Sequence, residues 1–357
     1  MALLFNYSAN NITAIAQSGN AWANITGSPT IGVGDGPQGI NTVHCSGNGS
    51  GIWLPNIAIP INAQGLVVGG GYNVSSFGSG ATGLMCLGSS TGGIGGTSGL
   101  IYLQVSTDGS LQVVSVISAH QTTKSSASGV FTFGNRHEVE LAISAFSNSG
   151  TVTVYLDGVA VPGLTAVSMG NLSSMDDGST IHSVNMGFVN NFLQTTLIVI
   201  DSTYALDTTG SFCNAPLGPA ISVPMIPNGV GQESQWTANG ASLGWQCISE
   251  VPPDDDTTYI SSSTPNQEET AALTTPAGIS GVYGVTVLGD QRQDTSGGGR
   301  TIDLGLGNGS TRSYGSAFGL GTTYKTNAQP FSSNPFTSAA WLLADMTALE
   351  VAAKLAS

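Results

Sequence analysis

The chain has 357 residues, with 7 Lys+Arg against 21 Asp+Glu and a formal net charge of −14. Only 8% of positions are charged, against roughly 25% in an ordinary soluble domain, and seven cations exclude a phosphate-backbone partner, which needs a Lys/Arg stripe to displace counterions. Gly fills 50 positions, about twice the usual share; with 40% hydrophobic residues this argues for packed cores and against both a helical enzyme and a disordered chain.

Met1–Phe5 is apolar but lacks a basic flank, and Asn6 and Asn10-Asn11 interrupt it, so no secretion signal is expected. Apolar runs stay short, as in Leu197–Ile200, far below the ~20 residues of a membrane helix. Period-two alternation bounded by Gly, Ser, Asn and Asp predicts strands over Gly65–Val74, Leu100–Ser106, Ser110–Ser118, His137–Phe146, Thr151–Leu156 and Thr195–Ile200. In the fourth, Val139, Leu141, Ile143 and Ala145 alternate with Glu138, Glu140, Ala142 and Ser144, which predicts one buried face and one wet face. Asp108-Gly109 and Asp157-Gly158 predict hairpin turns, because Gly tolerates the positive φ such turns need. The Gly-rich tract 88–99 reads as a long loop.

From Leu206 to Ile260 the texture changes. Pro216, Pro219, Pro224, Pro227, Pro252 and Pro253 accumulate, and six carboxylates appear with no Lys or Arg. The segment charges are −6 for 1–205, −6 for 206–260 and −2 for 261–357. The middle segment reads as an extended connector with Trp236 and Trp245 as apolar anchors. Alternation resumes over Gly281–Leu288 and Tyr314–Thr323, on either side of a loop at Ser296–Gly299. Leu342, Met346, Leu349 and Ala353 fall on one face of a 3.6-residue period, and Thr347-x-x-Glu350 offers a capping box, so a short C-terminal helix is expected. The fold class is therefore all-β: two antiparallel, jelly-roll-like β-sandwich domains, 1–205 and 261–357, joined by an acidic Pro-rich connector at 206–260, with one short C-terminal helix.

Converging ionisable groups are scarce. His44, His120, His137 and His182 all precede the connector, which leaves the second domain without an imidazole base or metal ligand. His137 reads as a polar residue at a strand edge, and no catalytic residue, metal site or cofactor is expected. Glu138 and Glu140 share a strand face about 6.5 Å apart, a spacing compatible with glycoside hydrolysis, but the solvated face of a half-buried strand explains them more simply. Asp254-Asp255-Asp256 lacks the spacing of a Ca²⁺ loop and reads as a solvated turn. Cys45, Cys86, Cys213 and Cys247 form no CxxC pair; buried thiols are the leading reading, with Cys213–Cys247 or Cys45–Cys86 as the disulfide alternatives.

Asn135–Leu141 followed by Ser149–Val159 resembles the centre of laminin-G-like, concanavalin-A-like jelly-roll domains, where a strand opening near W-H-x-V-E leads to one ending V-D-G. Arg136 stands here in place of the usual aromatic. The likeness covers residues 1–205, closing with an apolar strand at Thr196–Asp201. A second set, Gln235–Thr237, Pro252–Ile260, Ile279–Val285, Pro335–Trp341 and Leu349-Glu350, resembles the C-terminal half of tailed-bacteriophage structural proteins. That resemblance implies a non-enzymatic virion protein, decorating the capsid or attached to the tail or fibre, whose partners are other virion proteins. A flat, Lys-poor β-surface suits symmetric packing, so a homo-oligomer, taken as a trimer, is expected, with Trp236, Trp245, Trp341 and Leu342 as assembly contacts. The alternative is a tail-fibre-type, lectin-like receptor-binding protein that holds host glycan on aromatic platforms drawn from Trp22, Trp53, Tyr72 and Tyr102.

Overall fold

The computed structural model describes residues 3–7, 24–26, 30–32, 42–46, 51–53, 65–75, 81–88, 100–117, 120–175, 185–189, 197–250, 253–295 and 298–357. Trp22, His182, Ser296-Gly297 and the glycine tract from Ser89 to Gly99 lie outside them. The described residues divide into two units, one reaching Ser222 and one running from Val223 to Ser357. Both are antiparallel β-structures.

Hydrophobic alternation builds the first unit as a sandwich of two sheets. One runs Val159–Ala160, Thr151–Leu156, Arg136–Ile143, Leu66–Val74, Leu197–Asp207, Thr42–Ser46, Thr30–Gly32, with Leu3–Tyr7 also on Leu197–Asp207 and Val167–Ser168 on Thr151–Leu156. The other runs His120–Ser125, Leu111–Ile117, Leu100–Ser106, Ala81–Gly88, Asn185–Val189, Gly51–Trp53, Asn24–Thr26. Leu66, Val68, Tyr72, Val139, Leu141, Val152 and Val154 from the first, with Ile101, Leu103, Val105, Leu111 and Val113 from the second, are buried core. Segment 126–134 ties the sheets together: Phe131 N–H donates to Gly109 O, and Gly134 N–H to Val74 O. Both predicted hairpins form. Gly109 has φ +74°, while Asp157 and Gly158 have φ +51° and +81°, the paired positive angles of a two-residue hairpin loop.

In the second unit a sheet of order Pro227–Ser234, Glu268–Leu273, Leu349–Leu355, Thr301–Asn308, Thr311–Tyr314 lies with a Val285–Gln291/Lys325–Phe331 ribbon around one core. Leu304, Leu306 and Leu349 from the sheet meet Val287 and Phe331 from the ribbon, with Trp341 and Met346 between them. Of residues 206–260, Leu206-Asp207 end a strand of the first unit, and Pro227–Ser234 is a strand of the second unit's sheet.

Four expectations are corrected. The C-terminal helix is a 3-10 turn, Leu343–Ala348, and the chain then enters a strand, Leu349–Leu355. That strand is hydrogen-bonded on both sides, to Glu268–Leu273 and Thr301–Asn308, and two ladders outweigh a local 3.6-residue pattern. The run expected over Tyr314–Thr323 is divided into Thr311–Tyr314 and Phe318–Gly319, and that expected at Gly281–Leu288 is Val285–Gln291. Trp341 is 4% exposed and its Nε1–H donates to Phe331 O at 2.9 Å, so it is a core residue, not an assembly contact. Leu342 is 64% exposed. Trp341→Ala should therefore destabilise the second unit by about 3–5 kcal/mol and Leu342→Ser by less than about 0.5 kcal/mol, read from denaturant unfolding of the full chain.

Candidate functional site

The outward face of the first unit's larger sheet holds its polar centre, and Gly69-Gly70-Gly71 makes that centre possible. Gly71 lies between Glu138 and Asp201, and Gly69 between Glu140 and Tyr204, as directly paired neighbours. A Cβ on Gly71 would fall 2.2 Å from Arg136 Nη2, and one on Gly69 2.3 Å from the Tyr204 ring. Bare glycine thus lets long side chains from both flanking strands cross the central one. Arg136 spans the gap, with Nε to Asp201 Oδ2 at 2.8 Å, Nη2 to Asp201 Oδ1 at 2.6 Å, and Nη2 to Glu138 Oε2 at 3.0 Å.

Glu138 and Glu140, expected on a wet face, are 1% and 0% exposed. Glu140 is roofed by the segment that follows the last strand. Its carboxylate accepts Leu217 N–H at 2.6 Å, Gly218 N–H at 3.2 Å and the Tyr204 hydroxyl at 2.5 Å. Cys213, Leu217 and Ala220 pack over Val67, Tyr204 and Leu206, and Ser222 N–H donates to Ser202 Oγ. Strand alternation failed here because it marks two faces without saying that both are covered. Glu138 Oε1 is buried with no hydrogen-bond partner. Burial foremost, opposed by Arg136 and reinforced by Asp201 and Glu140, holds the Glu138 carboxyl well above its ordinary range.

His137, the next residue, faces the opposite way, as strand geometry requires. Its Nδ1 is 2.7 Å from Asp157 Oδ2 and its Nε2 2.7 Å from Thr132 Oγ1, while Asp157 Oδ1 accepts Glu138 N–H at 2.9 Å. Nε2 also lies 3.1 Å from Thr132 O, so the ring bridges the Asp157 carboxylate and Thr132. The order hydroxyl, imidazole, carboxylate is that of an acyl-transfer relay, which sequence spacing did not reveal. What it does here is fasten the 126–134 segment: the His137 ring also lies against Phe131, with centroids 4.6 Å apart.

The other singled-out residues scatter. Tyr72 is fully buried in the inter-sheet core, which removes it from any glycan platform. Tyr102 is half-buried and pairs with Cys86, which pairs with Gly187, which pairs with Trp53; beside it, Gln104 Nε2 donates to Gln112 at 2.7 Å. Trp236 is half-buried, its Nε1–H on Gln267 O and its backbone N–H on the buried Glu269, and Trp245 is half-buried in a 3-10 turn. Asp254–Asp256 form an exposed turn in which Asp256 binds Arg292 and Tyr324. None of Cys86, Cys213 and Cys247 is in a disulfide, against both disulfide alternatives; burial pushes Cys86 up to about 12 and Cys213 to about 11. Among the described residues no group of three His, Cys, Asp or Glu could hold a metal, and no helix is long and apolar enough to cross a membrane.

No family model and no curated protein matches the chain. Solved structures match distantly. A cellulose-induced protein, Cip1, is 10% identical over 60% of this chain and 100% of its own, with a TM-score of 0.42. Peanut lectin is 11% identical over 57% and 96%, at 0.38. A carbohydrate esterase from a Shiga toxin-encoding bacteriophage, phi24B, is 14% identical over 58% and 99%, also at 0.38. Likeness of this order is a similarity of β-architecture and carries nothing about chemistry.

Two outcomes follow from the buried carboxyls. Because the folded Glu138 carboxyl sits above its unfolded value near 4.5, the native state holds the extra proton between the two values, and this group's contribution to stability declines as pH rises through that window. The melting temperature of Glu138→Gln relative to the unsubstituted chain should therefore be higher at about pH 8 than at about pH 5. Glu140→Ala strands two backbone N–H groups and a phenol, which should cost about 3 kcal/mol or more and speed alkylation of Cys213 in the native protein.

Proposed function

We propose that this chain is a non-catalytic structural protein of a tailed-phage particle, decorating the head or attached to the tail, that assembles as a homotrimer with other virion proteins as partners. The observation that carries the reading is the use made of buried charge. Glu140 holds Leu217 and Gly218, Glu269 holds Trp236 N–H and the Ser234 hydroxyl, and Glu350 Oε2 accepts Gln232 N–H. A general acid or base must be free to exchange its proton with a substrate, and these carboxylates are spent on main chain.

The residues behind the phage resemblance serve the same end. Trp236, Trp341, Leu349 and Glu350 bond or pack inside the second unit. Asn334 is buried, with its Oδ1 on Phe336 N–H and its carbonyl on Ser338 N–H, and it sets up the Pro335–Trp341 run. Those motifs are explained by folding alone.

A second reading is favoured by one observation, the register that aligns Trp53, Gly187, Cys86 and Tyr102 across the smaller sheet beside the Gln104–Gln112 pair. The Tyr102 ring beside this amide pair suits a sugar, so a receptor-binding, lectin-like role is the alternative.

Quantitative mass spectrometry of purified particles tests the main reading. Hundreds of copies per particle are expected for head decoration and a handful for a tail site; absence from the particle overturns it. With p-nitrophenyl acetate, the unsubstituted chain and His137→Ala should hydrolyse at the same background rate. A rate that depends on His137 would make the Thr132–His137–Asp157 relay catalytic. Loss of binding on a glycan array by Tyr102→Ala would decide for the lectin-like role.

A further inference from the structure

At an Asn-Gly or Asp-Gly step the glycine nitrogen can reach the preceding side-chain carbonyl carbon, because glycine brings no Cβ to hinder the approach. Asn is the thermolabile member of the pair. The folded chain ties most of its steps down. Asp108 Oδ1 accepts the Ser110 N–H at 3.0 Å and the Ser110 hydroxyl at 2.8 Å, and Asp157 holds Glu138 N–H and His137 through its two oxygens. Asn239 Nδ2 donates to Thr237 O and Ser261 Oγ, each at 3.0 Å. A Cβ on Gly240 would fall 2.3 Å from Thr257 O, so both halves of that step are confined. Asn228 is exposed, but Gly229 stays in the ladder opposite Ala272.

Asn308-Gly309 differs. Asn308 is the exposed last residue of the strand Thr301–Asn308, and it faces Thr311 across the two-residue loop Gly309-Ser310. Gly309 has φ +57°, and apart from its chain neighbours no atom lies within 4 Å of where its Cβ would be. Among the described residues neither the Asn308 side chain nor the Gly309 N–H makes a hydrogen bond. Gly309 is held through its carbonyl, which accepts from Arg312 Nη1 at 2.5 Å. The attacking nitrogen and the carbon it must reach are therefore adjacent, unengaged and at the open end of a hairpin, where the last rung frays at little cost.

We propose that Asn308 is a self-modification site, at which the folded chain converts the side-chain amide to a carboxylate through a succinimide formed with Gly309. Hydroxide removes the Gly309 N–H proton, and the nitrogen attacks Asn308 Cγ. The N–Cγ bond forms, the Cγ–Nδ2 bond breaks, and Nδ2 leaves as ammonia with a proton taken from water, which restores the hydroxide. Water then opens the ring and returns a proton to the ring nitrogen. Cleavage between that nitrogen and Cγ gives an aspartyl residue. Cleavage between it and the Asn308 backbone carbonyl carbon gives an isoaspartyl residue, whose main chain runs through Cγ. The sum, amide plus water to carboxylic acid plus ammonia, needs no oxidant or reductant. Each conversion adds one negative charge to a chain whose formal net charge is −14, and the isoaspartyl form lengthens the main chain at the hairpin between Thr301–Asn308 and Thr311–Tyr314.

The test is peptide mapping of the full chain, held folded in mildly alkaline buffer and, in parallel, denatured in urea. Trypsin releases Asn308 in the peptide 301–312, and further digestion of the peptide 137–292 isolates the Asn228 and Asn239 steps. In the denatured chain these three steps should convert at similar rates. In the folded chain Asn308 should stay within about ten-fold of its denatured rate, while Asn239 should slow by more than about ten-fold. Peptide 301–312 should first lose the mass of ammonia and then gain that of water, and electron-transfer fragmentation should resolve aspartyl from isoaspartyl product. Asn308→Gln, which keeps the amide but demands a larger ring, should leave 301–312 unchanged over the same period. An Asn308 that stays intact in the folded chain while the denatured chain converts, or an Asn239 that reacts as fast as Asn308, would overturn the proposal.

Discussion

A carboxylate can leave water only if its oxygens are filled by donors, and Glu140 meets that condition in a way that commits the rest of the first unit. Two of its donors are the backbone N–H groups of Leu217 and Gly218 and the third is the Tyr204 hydroxyl. The segment after the last strand must therefore return over the sheet. Tyr204 must lie across the central strand, and the central strand must be bare where it crosses. Gly69 and Gly71 answer that demand, and the bulge between Asp201 and Tyr204, with Ser202 at φ +49°, brings Asp201 and the tyrosine onto one face.

The second unit solves the same problem with other residues. Gly305 carries Tyr314 and Gly307 lies under Glu350 and Arg312, so small residues on a central strand again make room for long polar side chains from its neighbours. The opposite face supplies Leu304, Leu306 and Leu349 to the core. With few charges in the chain, most that are buried have assigned mechanical work: Arg136 with Asp201, Lys354 with Asp303, Glu269 with Trp236. Glu138, one oxygen of which lacks a partner, is the exception, and its raised proton affinity is the physical consequence.

This economy shapes the functional reading. Several buried polar groups hold strands and segments together, and two of the aromatics expected at the surface, Tyr72 and Trp341, are core.

Alternation and turn chemistry by themselves determined the all-β class, the two hairpins at Asp108-Gly109 and Asp157-Gly158, and the core of strands such as Leu100–Ser106 and Thr151–Leu156, because period-two burial and positive φ are local properties of a few consecutive residues. The placement of Glu138 and Glu140, the strand identity of Leu349–Leu355 and the meeting of Thr132, His137 and Asp157 were decided by tertiary structure. Each depends on what lies on the far side: a roof from Leu217-Gly218, two flanking ladders, a turn from a neighbouring hairpin. Sequence spacing encodes which face a side chain takes. What covers that face is set by residues tens of positions away, and only the folded chain brings them together.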